Sequence, residues 1–205
     1  ADTVTGNLNG LNAEYFAGSV PSGKPVAFAL GTGGTGGAVT KTWTSAPPGL
    51  TSTTNFSAEL TGTITFPTAG SYTLTATGDD YAQVYINDVL VVNATVAGTP
   101  VSQPFTVPAG QLSDRIKIIY GQTTGAASLA FSWTVPGGSS VTVPGSALSP
   151  DYGLVTSTHT DDSAPAGVSG VSSAQVPAAN TATSYGASPC WGRLPRRALT
   201  RRGWT

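Results

Sequence analysis

Apolar and polar positions alternate along most of the first 150 residues of the chain. The cleanest run is Phe56 to Phe66. Phe56, Ala58, Leu60, Ile64 and Phe66 fall on one face, and Ser57, Glu59, Thr61, Thr63 and Thr65 on the other. A period of two is the mark of a strand with one buried face. Gly62, in the middle of that run, predicts a bend or bulge. The same period returns in Tyr72, Leu74 and Ala76, stops at Gly78-Asp79-Asp80, and resumes in Ala82, Val84 and Ile86. Asn87-Asp88 then separates two apolar runs, as a tight hairpin turn requires, because Asn and Asp tolerate positive φ. Further strands are predicted over Leu8–Phe16, Val101–Val107, Asp114–Tyr120 and Leu129–Val135, with a short one around Trp43 between Val39 and Thr44. Gly18 to Gly37 is expected to be loop, and its Gly31–Gly37 run lacks the Lys-Ser/Thr and following helix of a phosphate cradle. About ten short strands with turn signals every eight to twelve residues predict an all-β antiparallel sandwich. Its expected core contains Leu60, Ile64, Phe66, Leu74, Val84, Ile86, Ile118, Phe131 and Trp133.

The alternation ends after Ser149-Pro150. Residues 149–186 are Ser, Thr, Ala and Gly-rich, too poor in large apolar groups to form a core, and are expected to be a linker. Residues 187–205 change character again, with five arginines and no acid, a basic tail whose abrupt composition points to a truncation or reading-frame artefact. The expected organisation is therefore a β-sandwich over 8–148, the linker, and the tail.

Composition sharpens this picture. Charged residues make up only 9% of the chain, and helix formers are scarce, which favours the all-β assignment. Residues 1–186 hold four basic side chains against ten acidic ones, which gives no electrostatic basis for nucleic-acid binding. The single cysteine, Cys190, excludes an intrachain disulfide and a thiolate metal cluster. No apolar run is long enough for a membrane span. Low charge with abundant Thr, Ser and Gly fits a secreted or cell-surface β-domain.

The chemistry concentrates at Asp79-Asp80. Adjacent carboxylates aimed at one point repel by a few kcal/mol at intermediate dielectric, a cost that a divalent cation removes. The alternative is a solvated turn in which the aspartates cap backbone N–H groups. Catalytic signatures are missing: there is no Gly-x-Ser-x-Gly and no His-Glu-x-x-His. The only histidine, His159, falls in the polar linker, and the only glutamates, Glu14 and Glu59, fall on polar strand faces. An enzyme is not expected.

Gly10-Leu-Asn-Ala-Glu-Tyr-Phe16, Phe56-Ser-Ala-Glu-Leu-Thr-Gly62, Gly70-Ser-Tyr-Thr-Leu74, Asp79-Asp80, Val84-Tyr-Ile-Asn-Asp88 and Ser128-Leu-Ala-Phe-Ser-Trp133 occur in order. Together they resemble the protective-antigen (PA-14) domain, a β-sandwich of bacterial toxins, glycosidases, adhesins and yeast flocculins. In that family's sugar-binding members, two cis-linked aspartates hold Ca²⁺, which takes sugar hydroxyls. The resemblance implies that Asp79 and Asp80 hold calcium, with Gln122 and the Thr124 carbonyl as further oxygen ligands. It likewise implies that Asp79, Asp80 and Gln122 form the carbohydrate-binding site. The chain departs from the family in having Tyr81 where Gly is common, Gln122 where Asn is usual, and Glu59-Leu-Thr-Gly62 without the family's tryptophan. Tyr81, Tyr85 and Trp43 are candidates for stacking on, and so binding, a sugar ring; Tyr81 is the better placed, directly beside the acidic pair, and core packing is the other role open to Trp43. Ser149-Pro-Asp-Tyr-Gly-Leu-Val-Thr-Ser-Thr158 resembles the segment C-terminal to such domains in bacterial YD-repeat (Rhs-type) surface proteins, so the chain is expected to belong to a larger polypeptide. The expected function is a calcium-dependent carbohydrate-binding module for adhesion or targeting. A non-catalytic spacer domain is the alternative.

Overall fold

The computed structural model describes residues 8–150, together with the backbone pairs Thr3–Val4 and Ser157–Thr158. His159, the basic segment 187–205 and all but two residues of the linker after Pro150 lie outside the described residues. In chain order the strands are β1 (Thr3–Val4), β2 (Asn12–Ala17), β3 (Ala27–Leu30), β4 (Thr40–Thr42), β5 (Phe56–Thr65), β6 (Gly70–Asp79) and β7 (Tyr81–Ile86). They continue as β8 (Val89–Ala94), β9 (Val101–Val107), β10 (Ser113–Gln122), β11 (Ser128–Thr134), β12 (Ser140–Thr142), β13 (Leu148–Ser149) and β14 (Ser157–Thr158). Among the described residues the only helical turns are two short 3-10 segments, Thr35–Gly37 and Gly145–Ala147. Among the described residues no helix is long and apolar enough to cross a membrane.

Two antiparallel sheets make a β-sandwich. One has the order β3-β2-β5-β10-β7-β8, and the other β12-β11-β6-β9. Two strands each offer one side to a pair of shorter partners. Strand β2 pairs with the first part of β5, and β13 takes over at Ile64 and Thr63. In the second sheet β4 and β12 divide one side of β11 in the same way. The terminal strands β1 and β14 pair antiparallel with each other.

The alternating apolar residues meet between the sheets. All nine expected core residues are buried, joined by Tyr15, Tyr72, Tyr120, Leu129 and others. Burying a side chain the size of Leu, Ile or Phe stabilises a fold by roughly 1.5–3 kcal/mol relative to exposure. Two aromatic groups close the ends of this core. Phe66, Tyr72, Phe105 and Trp133 pack at one end. At the other, Trp43 stacks on Tyr120 at 4.9 Å and meets the edge of Phe56 at 5.4 Å. Trp43 is thus a core residue, not a sugar platform.

Three local expectations change. Strand β5 keeps continuous register with β10 through Gly62, so there is no bulge. Glycine is needed there because a Cβ would run into the Ser149 carbonyl and the Leu11 side chain. The predicted 18–37 loop contains β3, whose alternate residue Phe28 is 62% exposed, a pattern easily hidden among neighbouring glycines. Parts of the glycine run are closely packed while Gly33, Thr35 and Gly36 stay exposed: Gly37 lies against Asn9, and the Gly36 carbonyl lies against Gly145. The Asn87-Asp88 turn forms as expected, with φ of 49° and 65°.

Candidate functional site

Strands β6 and β7 are consecutive in sequence but lie in different sheets. Asp79-Asp80 is therefore the corner at which the chain passes from one sheet to the other, and the peptide bond between them is cis. Backbone pairing fixes both sides of this corner. Asp79 is in register with Ser128 of β11, and the Asp80 N–H donates to the Gly121 carbonyl of β10 at 3.0 Å. Both aspartates are half-buried.

The loop after β10 completes the surroundings. The Thr123 N–H donates to Asp80 Oδ2 at 2.5 Å, and the Asn55 N–H holds the Thr123 carbonyl at 2.9 Å. Gln122 ends β10 on its inner face, following Ile116, Ile118 and Tyr120, and is fully buried. Expected as a metal ligand, its amide is engaged internally at both ends. The oxygen accepts the Tyr120 hydroxyl at 3.1 Å, and Nε2 donates to the Thr124 carbonyl at 3.0 Å and the Gly125 carbonyl at 3.4 Å. The Tyr120 hydroxyl also donates to the Asp79 carbonyl at 2.6 Å. Burial first, then the charges of Asp79 and Asp80, push its phenol well above the ordinary 10.0, so it is a permanent donor at neutral pH.

Tyr81 turns away from the sandwich interior. Its hydroxyl donates to the Ser19 carbonyl at 3.0 Å, tying the β2–β3 loop to the corner. Its ring lies over Gly121, where any Cβ would collide with the ring and with the Ser19 carbonyl. Burial, then Tyr85, raises the Tyr81 phenol. Tyr85 itself lies farther along β7, with the Lys117 ammonium 4.8 Å from its ring centre and its hydroxyl on Gln83. It is not part of the corner. The structure thus brings Asp79, Asp80, Gln122 and the Thr124 carbonyl into one hydrogen-bonded arrangement, with Tyr81 beside it. Tyr120, the hub of that arrangement, enters the sequence reading only as the last residue of the Asp114–Tyr120 strand, since periodicity carries no information about where a hydroxyl lands.

The donors at the corner are carboxylate, amide and main-chain oxygens, the hard set that calcium prefers. No group of three or more His, Cys, Asp or Glu occurs among the described residues, so neutral oxygens would have to supplement the two carboxylates. The residues fit a calcium ion in kind. A concavity of about 510 Å³ lies at the opposite end between Ile86, Leu90, Phe105 and Pro108. Asp114 on its wall already accepts the amides of Asn87 at 2.7 Å and Gln111 at 2.9 Å, an arrangement that closes the hairpin tip.

Fold and corner together define a two-sheet β-sandwich with an oxygen-rich crossover at one end. The chain belongs to the PA14 domain family, whose model matches residues 8–147. Among solved structures, an anti-sigma factor domain-containing protein from Clostridium clariflavum superposes with a TM-score of 0.60 at 25% identity, over 72% of this chain and 50% of that one. A PA14 sugar-binding domain from an RTX adhesin gives a TM-score of 0.55 at 16% identity, covering 70% of this chain and 99% of the other. The Epithelial Adhesin 6 A domain from Candida glabrata, solved with Galb1-3GlcNAc, gives 0.52 at 15% identity, covering 73% and 90%. The chain spans about half the length of the two anti-sigma factor domain-containing proteins it matches. No curated protein matches it.

Proposed function

We propose that this chain is a calcium-dependent carbohydrate-binding module of a secreted or cell-surface protein, acting in adhesion or targeting and not in catalysis. The observation that carries the proposal is the Asp79-Asp80 corner of this PA14 sandwich, where two half-buried carboxylates adjoin the loop after β10 and Asp80 accepts the Thr123 N–H. Asp79 and Asp80 would balance a divalent charge, and the Thr124 carbonyl would add a neutral oxygen beside them. A calcium ion held there would act as the point of attachment for vicinal sugar hydroxyls. Tyr81 and the Ser19 loop it holds form an adjacent wall for the sugar. The sugar-binding RTX adhesin domain and the Candida domain solved with Galb1-3GlcNAc support this reading. Binding requires no proton transfer. Contacts to one sugar would be few, so useful adhesion would come from several copies acting together within a larger polypeptide.

A spacer role is the second reading. It is favoured by one feature: the Gln122 amide is satisfied within the protein and needs no ion. Calorimetric titration of calcium into the chelator-treated chain, followed by glycan-array binding with calcium or EDTA, separates the two. The proposal expects calcium binding in the parent, glycan binding only with calcium, and loss of both in Asp79→Asn/Asp80→Asn. Glycan binding that survives EDTA, or a double variant that binds calcium as well as the parent, would overturn it in favour of the spacer.

A further inference from the structure

We propose that Gln122 is a positioning residue, which with Tyr120 presets the 123–125 loop against the acidic corner before any cation arrives. The evidence is a continuous chain of hydrogen bonds. The Tyr120 proton is shared between the Asp79 carbonyl at 2.6 Å and Gln122 Oε1 at 3.1 Å. From there the Gln122 amide passes to the carbonyls of Thr124 and Gly125. Thr123 is held independently, by Asp80 through its N–H and by Asn55 through its carbonyl. Every residue of the loop is therefore fixed by groups of the protein itself.

Burial makes this arrangement consequential. Gln122 is 0% exposed, and an amide taken from water without partners is strongly penalised, so the side chain must keep them. The Tyr120 ring packs against both Trp43 and Phe56, so its hydroxyl has a fixed address. The length of glutamine matters here: its amide reaches forward to the Thr124 carbonyl while its oxygen stays on Tyr120. A loop ordered in advance does not charge its ordering entropy to the ligand.

A positioning role and a ligand role make different predictions. The variants are Tyr120→Phe, which keeps the aromatic packing, and Gln122→Met, which keeps the volume and removes both hydrogen-bonding ends. Backbone amide exchange is followed by NMR on the full chain in EDTA. The amide of Thr123 reports the loop, and those of Leu60 and Phe131 report global stability. The expected result is that Thr123 is protected in the parent without calcium and exchanges about tenfold faster relative to Leu60 and Phe131 in both variants. Unchanged Thr123 protection in both variants overturns the proposal, as does a loss seen equally at Leu60 and Phe131. If Gln122→Met does not fold, Tyr120→Phe decides alone by the same criterion.

Calcium titration adds a second arm, which rests on the calcium reading above. Both variants should bind calcium about three- to tenfold more weakly than the parent, and saturating calcium should restore Thr123 protection. Weakened calcium binding in Gln122→Met, with parental binding in Tyr120→Phe and parental loop protection in both, would make Gln122 a direct ligand and overturn the positioning role. If the parent binds no calcium while the variants still lose loop protection, the positioning role stands and the calcium reading falls.

Discussion

Neutralising Glu14 should stabilise the domain at neutral pH. Glu14 on β2 and Glu59 on β5 stand directly opposite each other in register, on the outer face of their sheet. Their flanking partners in the same row are Phe28 and Ile119, neither of which offers a counter-charge. Burial first, and the Glu59 charge second, raise the Glu14 carboxyl above its ordinary 4.5. Like charges directly opposite across an antiparallel pair destabilise by about 0.2–1 kcal/mol. A central gain of about 0.5 kcal/mol for Glu14→Gln corresponds to about 1–2 °C in Tm for a domain of this size. In urea it would move the midpoint by about 0.25 M at an m-value near 2 kcal/mol/M. The sign with pH comes from the raised carboxyl. Protonated Glu14 is better accommodated by the folded state, so the parent's stability from this group is complete below the unfolded pKa. It is lost as pH rises through the higher folded value. The advantage of Glu14→Gln should therefore be full at pH 7 and vanish near pH 3.5. Urea melts of Glu14→Gln, Glu59→Gln and the double variant at both pH values provide the measurement. The second substitution should add less than the first, because one neutral partner already ends the repulsion. A loss of stability at pH 7, or a gain of equal size at pH 3.5, would refute the reasoning.

Two further outcomes rest on packing. Phe131→Ala empties a fully buried position on β11 and should cost about 3–5 kcal/mol in denaturant melts; a loss under about 1 kcal/mol would place that side chain outside the core. Gly121→Ala should cost about 1–3 kcal/mol by forcing Tyr81 and the Ser19 carbonyl apart. It should also speed exchange in the β2–β3 loop, and unchanged stability would show that Tyr81 is not seated on Gly121.

Why some of this was legible in the sequence and some not can be argued residue by residue. The core was readable because its signal is a period. Phe56 to Phe66 needs only alternation to assign faces, and the buried set agrees. The Asn87-Asp88 turn was readable because two adjacent positive φ values restrict the residues that fit. Asp79-Asp80 stood out because two carboxylates at a strand end are costly without a purpose. The failures come from contacts between segments distant in sequence. Gly62 looks like a strand breaker, yet it exists to let the Ser149 carbonyl approach from 87 residues away. Strand β3 hid in a glycine-rich stretch because its pairing with β2, and not its own propensity, makes it a strand. Gln122 shows the same limit at the site. Its residue type advertises an amide oxygen, which is what a calcium ligand requires, but residue type says nothing about direction. Direction is set by Tyr120, whose hydroxyl position depends on Trp43 and Phe56 stacking from two other parts of the chain. A side chain's chemical capacity is local, whereas the group that claims it is decided by packing. For this corner the claim on Gln122 comes from the protein interior. That leaves Asp79 and Asp80 as the charged groups at the crossover through which any cation would be held.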